Sequence, residues 1–305
     1  MSDLRNLPGG CGIVRSQSAS FRGAACCRPV QTGTPIAPNT RMRRWNAWSL
    51  SICCAALVGL VAVQPNTIGA QGDARYQIET RAGRTGSLQE RFSESQLALL
   101  EKLNRADVGH LEQLQELVVP ESWSDELSYS VLPKRYASSE ARPTSLVVYL
   151  PGQLFGAYEF GSLVRWGPVS SGSRHNPTSA GSFALNWRST GRASTVDPDW
   201  FMRWYFNFCN REGLAFHAYP LPGYPASHGC IRLLERDAQW LFEWGQTWML
   251  DSRGTRVLKS GTPVLIIGRY DFDAPPPWRS LTWLSTTVEL PSAFITDIDT
   301  PERSP

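Results

Sequence analysis

From residue 145 onward the apolar positions fall in short runs separated by turn residues. Ser145-Leu146-Val147-Val148-Tyr149-Leu150, Leu154 to Phe160 and Leu163 to Ser171 are divided by Pro151-Gly152 and Gly161-Ser162, and this predicts three strands of a meander. In Trp200-Phe201-Met202-Arg203-Trp204-Tyr205-Phe206-Asn207-Phe208 the even positions are all apolar, which is the period-two mark of a half-buried strand with an aromatic stripe in the core. Asn210-Arg211-Glu212-Gly213 can turn that strand back into Leu214-Ala215-Phe216-His217, a short buried strand that ends on a histidine. Leu234 to Leu241 has helical spacing with acidic residues in its first turn, and Gly261-Thr262-Pro263-Val264-Leu265-Ile266-Ile267 reads as a closing core strand.

Before this β-rich part the period changes. From Gln71 to about Pro133 the chain is polar, with Leu97, Leu100, Leu103 and then Leu111, Leu114, Val118 at three- and four-residue intervals. Two helices are expected, the first capped by Ser93 or Ser95 and parted from the second near Gly109. Tyr76 to Thr80 and Leu117 to Pro120 are strand-like ends to this segment. The resulting strand-helix-helix-strand order faintly resembles the LysM glycan-binding module, although that family's Gly-Asp-Thr turn is missing. A structural N-terminal cap is the alternative.

The first 70 residues carry a different signal. Residues 1–41 are rich in Gly, Ser, Pro and Arg without apolar periodicity, and they read as an over-extended start or a disordered stretch. Met42-Arg43-Arg44, the apolar run Leu50 to Val63 and the small pair Gly69-Ala70 then compose a secretory signal peptide over 42–70. An uncleaved anchor through residues 45–63 is the competing reading, and either one places the rest of the chain in the periplasm or cell envelope. The remaining expected divisions are a small helical segment over 71–136, a catalytic domain over 137–270 and a Pro-rich C-terminal tail over 271–305.

Composition narrows the class. With 305 residues, 42% of them hydrophobic, the chain can bury a sizeable core. Its formal charge of +3 hides an asymmetry, because residues 1–44 hold seven arginines and one acid, leaving 23 basic against 26 acidic residues from 45 onward. No basic patch argues for nucleic acid. Five of the seven cysteines (11, 26, 27, 53 and 54) lie in the first 54 residues, so only Cys209 and Cys230 stand in the expected mature part. Cys209 sits on an apolar strand and reads as a buried thiol, Cys230 as a reactive one, with a bridge between the two as the alternative.

The chemistry concentrates in Ser227-His228-Gly229-Cys230-Ile231-Arg232-Leu233. A neighbouring imidazole and backbone N–H groups at a helix start can hold a thiol ready as a nucleophile, and the run into Leu234 places Cys230 just before such a start. His217, separated from Ser227 by nine residues, stands where a base should. His217, His228 and Cys230 are also zinc-competent in type, but no fourth ligand stands at a usual spacing, and no metal or other cofactor is expected.

The stretch resembles the L,D-transpeptidase (YkuD-type) catalytic domain, whose signature is a histidine, a loop, and then Ser/Thr-His-Gly-Cys, an apolar residue and Asn or Arg. Ser227 to Arg232 match it, and Pro168-Val169-Ser170-Ser171-Gly172 with Gly181-Ser182-Phe183 resembles further family elements. The resemblance implies a mainly β fold, a sandwich of mixed sheets with one helix after the nucleophile, preceded by the small helical segment. It implies Cys230 as nucleophile, His217 as proton carrier, His228 lining the same pocket, and backbone N–H groups of Gly229 and Cys230 as oxyanion donors. Arg232, Ser227 and Tyr219 are then the candidates for substrate binding, Arg232 through its planar fork on a carboxylate. The implied partner is a peptidoglycan stem peptide: acyl transfer from a tetrapeptide with loss of D-alanine gives 3-3 cross-links. The same acyl-enzyme can serve lipoprotein attachment, D-amino-acid exchange or hydrolysis, and a wall-binding protein without turnover is the remote alternative. The loop from Ala218 to Ala226 is shorter than in the longer form of the motif and carries Pro220, Pro222 and Pro225, which should stiffen it.

Overall fold

The computed structural model describes residues 75–81, 86–194, 197 and 199–293. The expected export segment over 42–70, the anchor reading over 45–63, the stretch 1–41 and the end of the tail from 294 lie outside the described residues. Among the described residues no helix is long and apolar enough to cross a membrane.

The chain opens with β1 (Tyr76–Thr80), which pairs antiparallel with β2 (Glu116–Pro120) around three helices, α1 (Leu88–Arg91), α2 (Glu94–Asn104) and α3 (Val108–Leu111). Ser87 and Ser93 cap α1 and α2 with reciprocal side-chain bonds to the third helical residue, and Asp107 caps α3. Leu88, Leu100, Ala106, Leu111, Leu117 and Val119 give this unit a small core of its own.

The β-rich part is β3 (Ser145–Tyr149), β4 (Leu154–Glu159), β5 (Ser162–Ser170), β6 (Gly181–Ala184), β7 (Arg188–Ala193), β8 (Phe201–Cys209), β9 (Leu214–Ala218) and β10 (Ile231–Leu233), followed by α4 (Glu235–Trp244). A small hairpin, β11 (Met249–Leu250) with β12 (Val257–Lys259), leads to β13 (Pro263–Ile267), and α5 (Leu281–Leu284) closes the described chain. Nine strands form one mixed sheet in the order β6-β13-β3-β4-β5-β10-β9-β8-β7. Only β13 with β3 and β10 with β9 run parallel.

The sheet curls until its far ends face each other across a shared interior, where Phe183 of β6 meets Phe208 of β8 edge to face with centroids 5.3 Å apart. Leu146, Phe155, Phe216, Ile231, Val264 and Leu241 fill that interior, so the expected sandwich is the two halves of one sheet with α4 at the seam. The outer face is buried as well. Val147, Leu154, Trp166 and Leu265 pack under Leu99, Leu103 and Val118 from the N-terminal unit and under Trp278 and Leu284 from the chain after β13. This explains why β3 reads as an unbroken apolar run: both of its faces are covered.

Polar ties fix the same contact. The buried ammonium of Lys102 donates to the Trp166 carbonyl at 2.7 Å and pairs with Glu126. Arg105 donates to the Gly152 carbonyl at 2.8 Å, with Trp278 and Trp283 against its guanidinium. Arg236 on α4 pairs with Glu101 on α2.

Candidate active site

β9 and β10 lie side by side in parallel, with Arg232 opposite His217 and Ile231 opposite Phe216. Side chains alternate between faces along a strand, so Cys230 and Arg232 share the face that His217 shares, while Ile231, Leu233, Phe216 and Ala218 turn into the core. All three chemical groups line one cavity of about 130 Å³. His228, Ser227 and Tyr219 line it too, so the sequence-derived candidates are brought together.

His217 is 5% exposed, and its Nδ1 lies 3.1 Å from the Ala218 carbonyl. A carbonyl only accepts, so Nδ1 carries the proton and Nε2 keeps a free lone pair. Burial, opposed by the Ala218 bond and reinforced by the Arg232 charge, pushes His217 down to about 4. Cys230 is the free cysteine among the described residues, and its Sγ donates to the Gly213 carbonyl at 3.9 Å. Burial pushes this thiol up, against the opposing pull of the Ala215 N–H and the Arg232 charge. The resting pair is a neutral imidazole beside a thiol.

Two expectations change here. Cys230 stands directly before strand β10, and α4 starts at Glu235 behind Leu234, so the thiol leads into a strand and not into a helix. Three residues of strand were too few to show an alternation. Cys209 is buried and disulfide-bonded, so it is not the free thiol expected there.

The motif loop is held in place from several sides. Gly229 has φ +107, where an added Cβ would lie 3.0 Å from Leu214 Cδ2. Ser227 Oγ accepts from the Gly229 N–H at 3.0 Å and donates to the Cys230 carbonyl, so Ser227 shapes the turn rather than facing substrate with its hydroxyl. Of the two amides expected at an oxyanion, that of Gly229 is therefore taken up. Thr178 Oγ1 accepts from the Gly172 N–H and donates to the Gly229 carbonyl, both at 2.8 Å. Ser170 Oγ accepts from the Ala226 N–H at 3.1 Å and donates to the Tyr224 carbonyl at 2.7 Å.

Tyr219 forms one wall, with Arg232 over its ring at 4.6 Å and His217 edge-on at 6.0 Å. The exposed ring of His228 packs 5.1 Å from Trp200, at the mouth of the cavity. Trp200 and Met202 also line the cavity, although they belong to the aromatic stripe expected in the core. The cause is Trp204, whose φ of +54 marks a register shift between Arg203 and Phe206. The extra residue flips the parity of β8, so Trp200 and Met202 face the site on one side of it, and Tyr205 takes over that face on the other. Phe206 and Phe208 remain core. Arg192 and Glu212 at the rim were not anticipated. Arg192 comes from β7, whose polar sequence gave no strand signal. Among the described residues no group of three or more His, Cys, Asp or Glu side chains is placed to hold a metal ion.

The search of curated proteins finds no match. Solved structures that resemble the chain include an L,D-transpeptidase (Yku) from Stackebrandtia nassauensis, 21% identical over 47% of this chain and 63% of that one, with a TM-score of 0.37. An L,D-transpeptidase from Mycobacterium smegmatis is 18% identical over 41% of this chain and 59% of that one, with a TM-score of 0.33. One from Mycobacterium tuberculosis H37Rv is 21% identical over 41% and 58%, again at 0.33. This chain thus spans less than two thirds of the length of these structures. Residues 143–266 match the family model YkuD, described as the L,D-transpeptidase catalytic domain. That stretch contains His217, Ser227 to Arg232 and, but for Ile267, every strand of the curled sheet, so it is this part of the chain that is similar to the YkuD family.

Proposed function

We propose that the chain is a peptidoglycan L,D-transpeptidase working through a Cys230 thioester. The observation that supports this most directly is the parallel register of β9 and β10, with Arg232 beside His217 and the free Cys230 two residues before it, all on one cavity. As the Cys230 thiol attacks the carbonyl of the third residue of a tetrapeptide stem, its proton passes to Nε2 of His217. The Ala218 carbonyl holds the other ring N–H and favours the imidazolium that forms. The tetrahedral oxyanion is met by the Cys230 N–H, because that of Gly229 is engaged by Ser227. Collapse breaks the peptide bond, and D-alanine leaves with the proton from His217. An acceptor amine then attacks the thioester, His217 takes its proton, and the thiol is restored with a 3-3 cross-link made.

In this reading Arg232 sits on the Tyr219 ring and offers its fork to a substrate carboxylate, while Trp200, His228 and Tyr219 supply an aromatic mouth. The same reading takes residues 42–70 as an export signal, with the enzyme working in the cell envelope. Purified protein incubated with disaccharide-tetrapeptide should yield a dimer short of one D-alanine by mass. A shortened monomeric stem alone would make the enzyme a hydrolase, and an unchanged substrate would reject the proposal.

A further inference from the structure

The turn between α2 and α3 reaches the active-site loop. The Asp107 N–H donates to the Leu221 carbonyl at 3.0 Å, and the Leu221 N–H donates to Asp107 Oδ2 at 2.7 Å. Ala106 and Pro222 form a β-bridge beside these bonds, and Ala106 and Leu221 are both fully buried. Leu221 is two residues beyond Tyr219, whose ring carries Arg232 on its face and meets His217 at its edge. The other end of the loop is fastened separately, through Ser170.

We propose that Asp107 is a positioning residue of the active site, holding the loop 218–226 through Leu221 so that Tyr219 keeps Arg232 and His217 in place. The N-terminal unit is then a working part of the site and not a detachable module. The side chain has two further tasks that must be separated from the first: its Oδ1 accepts from the His110 N–H at 3.0 Å and caps α3, and both of its oxygens lie 2.9 Å from Nδ1 of the His110 ring. Asn and Ser cap helices as well as Asp does. Asp107→Asn nevertheless leaves one oxygen for two N–H donors, because an amide nitrogen cannot accept, and the side chain of Asp107→Ser is too short to span both bonds.

The inference rests on the proposed function only in taking Cys230 as the reacting thiol, and its test needs no peptide. The rate of Cys230 alkylation by iodoacetamide, followed on its own tryptic peptide across pH, reports the thiolate fraction. Arg192, Arg232, Glu212, His217, His228, Tyr205 and Tyr219 are the charged and titratable groups that line the cavity with that sulfur. With the Leu221 N–H no longer held by the carboxylate and only the backbone ties left, the loop loosens, and Arg232 loses part of its seat on Tyr219 and of its help to the thiolate. Asp107→Asn should therefore raise the pH midpoint of alkylation by about half a unit, a roughly threefold slower reaction near neutral pH. Asp107→Ser should do the same, which guards against one variant failing to fold. Arg279→Ala, which removes the 3.4 Å pair to Glu116 at another contact of the N-terminal unit, should leave the profile unchanged. An unshifted midpoint in the folded Asp107 variants would overturn the proposal. So would a uniformly faster reaction, which would make the loop a mere shield, or an equal shift in Arg279→Ala.

Discussion

His217 is buried as a neutral imidazole, which couples folding to pH. Its ordinary value applies in the unfolded chain, and it falls to about 4 in the folded one. The unfolded state therefore binds more protons between those values, and stability present above the unfolded value is lost as pH falls toward 4. The loss should be roughly 3 kcal/mol from neutral pH to the bottom of that window. Urea unfolding of the native chain and of His217→Gln at a series of pH values should differ by this amount in pH dependence. Parallel curves would contradict the burial argument.

The same residue scale shows what a sequence can carry. Cys230, His217 and Arg232 were legible because a thiol, a base and a guanidinium in one short motif are chemistry written locally. Thr178 and Asp107 were not, because their roles are bonds to residues 51 and 114 positions away. Trp200 and Met202 were assigned to the wrong side because the single left-handed residue Trp204 reverses the alternation that the assignment relied on.

Among the elements, α4 is locked to β5 by a buried charge. Asp237 is fully buried, and Arg165 holds its Oδ1 at 2.7 and 2.9 Å while the guanidinium lies 4.9 Å from the Trp240 ring. Gly167 leaves room for the carboxylate, since an added Cβ would lie 2.6 Å from Oδ2. Removing the cation strands a buried anion, so Arg165→Met should destabilise by about 3 kcal/mol. Arg165→Met with Asp237→Leu should recover most of that by urea unfolding. A single variant within about 1 kcal/mol of the native chain would show that Asp237 is satisfied without Arg165. The meander β3 to β5, the β8–β9 hairpin and α4 were readable from turn residues and period. β10 was not, because its three residues are strand only through pairing with β5 and β9 on either side.

For the whole molecule, the N-terminal unit and the chain after β13 cover the outer face of the curled sheet, and the inner face closes on itself. That closure depends on which distant strands meet, so a local pattern showed mixed β structure but not one continuous sheet. The molecule so assembled presents a cavity with a thiol, a neutral imidazole and a guanidinium on a shared face, and the proposed function requires that Cys230 carry the acyl group. Native protein and Cys230→Ala are reacted with disaccharide-tetrapeptide, quenched in acid and digested for mass spectrometry. The native protein should carry the stem minus D-alanine on the peptide containing Cys230. Cys230→Ala should carry none and lose about a thousandfold or more in turnover. An adduct on any other residue, or turnover kept in Cys230→Ala, would contradict the account.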